Sequence, residues 1–321
     1  MPRVLYTDQD YPDVDIERGV LAATGIELVV ANHKTEDEII AAGRDFDAFL
    51  IQYAPISERV IAALPRLGLV SRIGAGFDTI DTAACAKHGV WVANSPDYGV
   101  GEVATHALAM ALALVRNIVG YHRDIVAGQW HYLSSGAVRR ASDMTLGIVG
   151  LGRIGKRMAH VSRNVFKRVI ACDPYLIDGD FPAYVERADL ESLFAQSDVV
   201  SLHTPLNDET RAMIGADVLG HMRRGSYLVN TSRGAVVDIG DLLSALDSGI
   251  LAGAGLDVLP VEPVEDRRLL AHPNVVLTPH AAFFSEQSAI ELRRKAAQNI
   301  ATWVKTGRPD YVVVAGTRRC A

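Results

Sequence analysis

Short apolar runs alternate with stretches of helical periodicity along most of the chain. In the first hundred residues, 3–7, 26–31, 48–52, 67–73 and 90–94 read as strands, with helices predicted over 35–43 and 57–64. A second series begins near Thr145, with strands predicted over 146–150, 168–173, 199–203, 227–230, 254–257 and 275–277, and helices over 153–166 and 239–247. Brief, almost uninterrupted apolar strands separated by amphipathic helices are what parallel sheets covered on both faces require. The predicted fold class is therefore α/β, with two doubly wound, Rossmann-like units in one chain.

Two helical stretches fall outside that alternation. Residues 101–119 form a long apolar run between the two series, expected as a single buried or interface helix. Residues 285–306 carry Ala289, Leu292, Ala296, Ile300 and Val304 at helical spacing, which predicts one further long helix. If that helix returns to the first unit, residues 1–98 and 285–321 make one discontinuous domain and residues 99–284 the other. A chain of 321 residues suits two domains of that size.

Composition narrows the choice of partners. A hydrophobic fraction of 49% and a charged fraction of 22% are ordinary for a folded protein. The net charge of −6 is spread over interspersed charges, which argues against a nucleic-acid or anionic-membrane partner, since both need a concentrated basic face. The three cysteines, Cys85, Cys172 and Cys320, follow no metal-binding or redox spacing. The longest apolar run, 103–115, is too short to span a bilayer and contains Thr105 and His106. The first residues read as a strand rather than a signal peptide, so the expectation is a cytoplasmic protein.

Gly150-Leu151-Gly152-Arg153-Ile154-Gly155 follows an apolar strand and opens an amphipathic helix. In that setting the first glycine makes the tight turn, the second lets the backbone approach a pyrophosphate, and the third lets helix and strand pack closely. The helix then offers unpaired N–H groups and its positive end to the anion. Asp173 ends the next strand, about 20 residues on, where an acid accepts hydrogen bonds from a ribose diol and repels a 2′-phosphate. The cofactor expected is NAD rather than NADP. Gly74-Ala75-Gly76 also follows a strand but opens no long helix, which leaves a plain tight turn or a carboxylate cradle.

Hydride transfer to a keto acid asks the protein to hold the substrate, protonate the developing alkoxide and orient the proton donor. Arg233, in Asn230-Thr231-Ser232-Arg233-Gly234, lies just past a strand end and is suited to pairing with a carboxylate. His280, in Thr278-Pro279-His280-Ala281-Ala282, is of the residue type best suited to donate a proton near neutral pH, and Glu262 is the acid expected to pair with it. Each alone has a plain structural explanation. Three at the ends of three strands of one nucleotide-binding unit do not read as coincidence. Of the other histidines, His106 is expected in the core or at an interface, His203 lining a cofactor cleft, and His272 in a turn. No group of residues has metal-ligand spacing, and no Gly-x-Ser-x-Gly nucleophile motif occurs.

With 72–78, Gly150–Gly155, Asp173-Pro174-Tyr175, 229–234, 256–258 with Glu262-Pro263, and 278–282 in this order, the chain resembles the D-isomer-specific 2-hydroxyacid dehydrogenase family over essentially its full length. Residues 279–287 look closest to the C-terminal-binding-protein branch. The resemblance implies Arg233, Glu262 and His280 as catalytic residues. It implies cofactor contacts from Ala75, Gly150, Gly152, Arg153, Ile154, Gly155, Asp173, Thr204, Pro205, Thr210, Thr231, Ser232 and Asp257. Substrate contacts implied are Arg72, Gly74, Ala75, Gly76, Arg233, His280 and Phe283. A cleft between a discontinuous substrate domain and a coenzyme domain is implied too, as is a homodimer paired through the long helix near 101–119.

Two departures stand out. Phe283 occupies a place where the branch usually has Trp, and the long polar tail of its transcriptional members is absent. The main expectation is an NAD-dependent oxidoreductase of small 2-hydroxy or 2-keto acids. The alternatives are an NAD-sensing, dimerising corepressor-like protein, and a dehydrogenase of another small anion such as phosphite.

Overall fold

A computed structural model describes every residue except Ser135, Ala137 and Ala321. The chain divides into two compact units, Met1–Gly99 with Ser285–Ala321, and Val100–Phe284.

The first unit opens with β1 (Arg3–Tyr6), α1 (Asp15–Ala22), β2 (Glu27–Val30), α2 (Glu36–Gly43), β3 (Ala48–Ile51), α3 (Glu58–Ala63), β4 (Leu69–Arg72), α4 (Thr82–His88) and β5 (Trp91–Ala93). Helix starts are marked by side-chain caps, as the sequence pattern requires: Thr35, Ser57 and Asp81 each accept from a backbone N–H of the first turn. The second unit follows with α5 (Val100–Val115), α6 (Ile118–Val126), β6 (Thr145–Val149), α7 (Arg153–Ser162), β7 (Arg168–Cys172), β8 (Glu186–Arg187), α8 (Leu190–Gln196), β9 (Val199–Leu202), α9 (Ala216–Gly220), β10 (Ser226–Asn230), α10 (Ile239–Asp247), β11 (Leu251–Leu256), α11 (Arg267–Ala271) and β12 (Val275–Leu277). The chain then re-enters the first unit as α12 (Glu286–Thr306) and β13 (Val312–Val314).

The first unit's sheet runs β13-β5-β4-β3-β1-β2, parallel but for β13, which is antiparallel to β5. The second unit's sheet runs β12-β11-β10-β9-β6-β7-β8 with all neighbours parallel. Its order reverses between β9 and β6. Sheets of this kind bind ligands outside the carboxyl ends of the strands at such a switch point. Two apolar clusters fill this unit, one containing Phe194, Leu228 and Leu242, the other joining Met110 and Leu114 of α5 to Leu146, Met158 and Val229.

Some element bounds differ from the expectation. The apolar run 101–119 is not one helix: α5 and α6 are bent by 56° about a break at Arg116–Asn117. Asn117 adopts φ 47°, a left-handed conformation that asparagine tolerates better than most residues and that ends α5. The helix predicted to reach Phe166 stops at Ser162, and β11 starts at Leu251 rather than Ala254. The short edge strands β8 and β13 were not expected, because two or three residues carry no readable periodicity. Among the described residues no single helix is long and apolar enough to cross a membrane.

Candidate active site

The glycine-rich turn leaves β6 and enters α7 at the switch point. Gly150 has φ +88°, and a Cβ there would lie 2.8 Å from the His203 carbonyl oxygen, so the β6 and β9 ends meet too closely for any side chain. A Cβ on Gly155 would lie 2.0 Å from the Gly150 oxygen. At Gly152 the same construction meets nothing within 4 Å, so the backbone there faces open space. Gly152 is also the N-cap of α7 and brings no side chain to the first-turn N–H groups, to which Arg153 and Ile154 belong. Asp173 closes one side: Oδ2 accepts from the Leu151 N–H at 2.8 Å and Oδ1 from the Tyr175 N–H at 3.1 Å.

On the other side, the ends of β9 and β10 carry polar atoms without protein partners. His203 Nδ1, Thr204 Oγ1 and Thr231 Oγ1 are shut off from solvent and make no hydrogen bond. His203 Nε2 lies 2.9 Å from Ser201 Oγ, and burial pushes the imidazole pKa down to about 4, so the ring is neutral near pH 7. Below them, Thr210 Oγ1 donates to the Pro205 oxygen at 2.7 Å and fixes the loop after β9. An open glycine cradle, an uncapped helix start, an acid beside the turn and unsatisfied polar atoms across it fit a dinucleotide.

The three chemical candidates lie beyond β10, β11 and β12. Asn230 organises the first: its Oδ1 accepts from the Ser232 N–H and hydroxyl, and its Nδ2 donates to the Arg233 oxygen at 2.9 Å. Asp257, 2% exposed, organises the third. Its carboxylate accepts from Thr278 Oγ1 at 2.6 Å, the Ala281 N–H at 2.8 Å and the Ala282 N–H at 3.0 Å. The His280 N–H donates to the Asp257 carbonyl at 2.8 Å, and His280 is held at φ 52°, a conformation few residues other than glycine adopt. So fixed, His280 places Nδ1 2.8 Å from Glu262 Oε2. Glu262 Oε1 accepts from the Leu259 N–H at 2.9 Å. Burial pulls the Glu262 pKa up, but the His280 and Leu259 hydrogen bonds and the charges of His280 and Arg233 outweigh it, leaving the carboxyl below its usual range. The Phe283 ring stands edge-on to His280, with centroids 6.5 Å apart.

In the first unit, Gly74 has φ +151°, and a Cβ there would lie 1.1 Å from Arg72 Nη1; the guanidinium folds over the loop in the place a side chain would take. Asn94 Nδ2 donates to the Ala75 oxygen at 2.6 Å, and the Ser95 N–H to the Gly74 oxygen at 2.9 Å. The loop 74–76 is therefore braced by hydrogen bonds from Asn94 and Ser95.

Residues 108–282 match the profile of the D-isomer specific 2-hydroxyacid dehydrogenase, NAD binding domain. The chain belongs to that family. It is 34% identical over 289 residues to a glycerate dehydrogenase of Methylorubrum extorquens, covering 88% of this chain and 90% of the relative. It is 38% identical over 282 residues to a glyoxylate reductase of Korarchaeum cryptofilum, covering 86% and 85%. The fold superposes on a D-lactate dehydrogenase from Aquifex aeolicus, complexed with NAD and lactic acid, with a TM-score of 0.87, 28% identity and coverage of 98% of this chain and 100% of that one. The protein is thus an NAD-dependent oxidoreductase of 2-hydroxy and 2-keto acids.

Within this dehydrogenase two residues do more than their sequence context announced. His106, expected as a core or interface residue, points its Nε2 at Thr278 Oγ1 (3.0 Å) and lies 3.7 Å from Asp257 Oδ1, joining α5 to the network that holds the His280 loop. The signal was a polar pair, Thr105-His106, inside an apolar helix. Asn230 was visible only as part of a motif, and its three hydrogen bonds appear only once the turn is folded.

Proposed function

We propose that Arg233, Glu262 and His280 are the catalytic residues of a reductase acting on small 2-keto acids. The observation that carries this is the His280–Glu262 contact of 2.8 Å, with Arg233 near enough to help depress the Glu262 pKa. NADH, when bound, supplies the hydride. Glu262, held ionised, accepts from His280 Nδ1–H, which fixes the ring and leaves Nε2 to deliver a proton to the substrate oxygen as it gains negative charge. Arg233 pairs with the substrate carboxylate and polarises the carbonyl. Arg72 and the backbone of Gly74, Ala75 and Gly76 add further carboxylate contacts, and Phe283 borders the substrate side chain.

The cofactor takes its pyrophosphate on Gly150, Gly152, Arg153, Ile154 and Gly155 and its adenosine ribose on Asp173. Thr204, Pro205, Thr210, Thr231, Ser232, Asp257 and Ala75 supply the remaining contacts, and the Asp173 carboxylate selects NAD over NADP. The physiological unit is a homodimer in the cytoplasm. Ile118, Val119, Ile125, Val126, Trp130, Tyr132 and Leu133 are all exposed along one segment, an apolar surface suited to a second copy of the chain.

The relatives suggest glyoxylate, hydroxypyruvate and pyruvate as first substrates to try, with phosphohydroxypyruvate and 2-ketogluconate completing a panel. NADH oxidation against that panel tests the reading. Turnover on one or more keto acids, lost in His280→Ala, supports it; NADH binding without turnover on any of them overturns it.

A further inference from the structure

A contact at the cofactor end of the second unit goes beyond the Asp173 carboxylate. The Tyr175 hydroxyl, just past β7, donates to the Glu209 carboxylate on the loop after β9. In the sheet β6 lies between β7 and β9, so this bond links the segments that follow the two neighbours of β6, the strand that leads into the glycine-rich turn. Both anchors are ordered by their own hydrogen bonds. The Tyr175 N–H donates to Asp173 Oδ1, and Asn207 Oδ1 accepts from the Glu209 and Thr210 N–H groups at 3.0 Å each.

Two carboxylates therefore flank Tyr175. The Glu209 hydrogen bond first, then its charge, some desolvation and the Asp173 charge push the phenol pKa up, which places both acids within electrostatic reach of one ring. Arg187 of β8 pairs with Asp178 at 2.5 Å.

We propose that Glu209, held in place by Tyr175, is a second determinant of cofactor choice. A 2′-phosphate brought to Asp173 meets a second negative charge at the mouth of the cradle, whereas a ribose diol adds none. This rests on the reading that Asp173 receives the adenosine ribose. Tyr175 is 75% exposed, so solvent screens the repulsion. Two unit charges about 4 Å apart in water still change a dissociation constant by about 5-fold, and a phosphate carries up to two, so an effect of roughly 3- to 10-fold is expected.

The experiment is a fluorescence titration of native protein and Glu209→Gln with NADH and with NADPH, at low and at raised salt. The expected result is that Glu209→Gln tightens NADPH by roughly 3- to 10-fold and NADH by much less, narrowing the ratio of the two constants. Raised salt should narrow the native ratio more than the variant's. A ratio equal in the two proteins, with NADH still preferred by both, overturns the role of Glu209 and leaves that of Asp173 standing. NADPH binding to the native protein as tightly as NADH overturns the Asp173 reading and this one with it.

Discussion

His280 Nδ1 lies 2.8 Å from Glu262 Oε2, and both residues are anchored by further hydrogen bonds. The His280 backbone is hydrogen-bonded to the Asp257 carbonyl, and Glu262 is anchored through its other oxygen to the Leu259 N–H. A proton donor held this way loses little entropy on the way to the transition state. His280→Ala is expected to lower kcat by about 10²- to 10⁴-fold, the usual worth of a positioned general acid, with NADH affinity nearly kept. Steady-state turnover beside an NADH titration checks it. A loss confined to NADH binding would count against proton transfer from His280.

Glu262 gives a prediction whose sign follows from its lowered pKa. Against the cost of its burial, the His280 hydrogen bond and charge stabilise the carboxylate. In the native protein the Glu262 carboxylate therefore persists as pH falls below the ordinary carboxylate range, and its contact with His280 is lost only as pH passes its own depressed pKa. Glu262→Gln removes that titrating group, so the acid-side decline in kcat that follows protonation of Glu262 should be absent from the variant, beside a lower kcat at neutral pH. A pH profile with the same acid limb in both proteins would remove Glu262 from the mechanism.

Two glycines of one turn should respond to alanine differently, one in cofactor binding alone and the other in stability as well. At Gly152 a Cβ meets no atom of the protein and φ is −69°, so Gly152→Ala should fold with little change in Tm. Its methyl group would stand where the pyrophosphate approaches, so NADH affinity should fall, by about 10-fold or more if one phosphate contact is lost. At Gly155 the Cβ would lie 2.0 Å from the Gly150 oxygen, and the strand and helix would have to separate. Gly155→Ala should therefore cost about 1–3 kcal/mol of stability for an overpacked contact, read as a lower Tm, and should weaken NADH binding as well. Calorimetry and NADH titration on the two variants separate these outcomes.

That contrast also shows what was legible in the sequence. The glycine-rich turn was readable because its order of strand, glycines, helix, strand and acid is local, and each step has its own physical demand. The residues beyond β10, β11 and β12 were readable as strand-end candidates, but nothing in the spacing of 233, 262 and 280 says that two of them touch. That contact depends on the Asp257 carboxylate gathering three donors from 278–282, an arrangement made only by folding. His106 stayed hidden because an apolar helix face predicts burial, and burial alone does not say that a ring nitrogen finds Thr278. The bend after α5 depends on one residue, Asn117, whose left-handed backbone a hydrophobic pattern does not encode.

His203 leads to the last prediction, a pH-dependent stability unrelated to turnover. Burial depresses its pKa from the ordinary 6.5 to about 4, so the folded chain holds the ring neutral while the unfolded chain protonates it. Between those two values the unfolded state binds more protons, and stability must fall as pH falls. The contribution is fully present above pH 6.5, declines below it, and is exhausted near pH 4. A shift of this size corresponds to at most about 3 kcal/mol, and partial exposure of the residue reduces it. His203→Gln keeps a polar group near Ser201 Oγ but does not titrate. Its Tm should thus decline less steeply than that of the native protein as pH is lowered from 6.5 towards 4. Parallel Tm curves for the two proteins across that interval would show that the imidazole takes up its proton without leaving the fold.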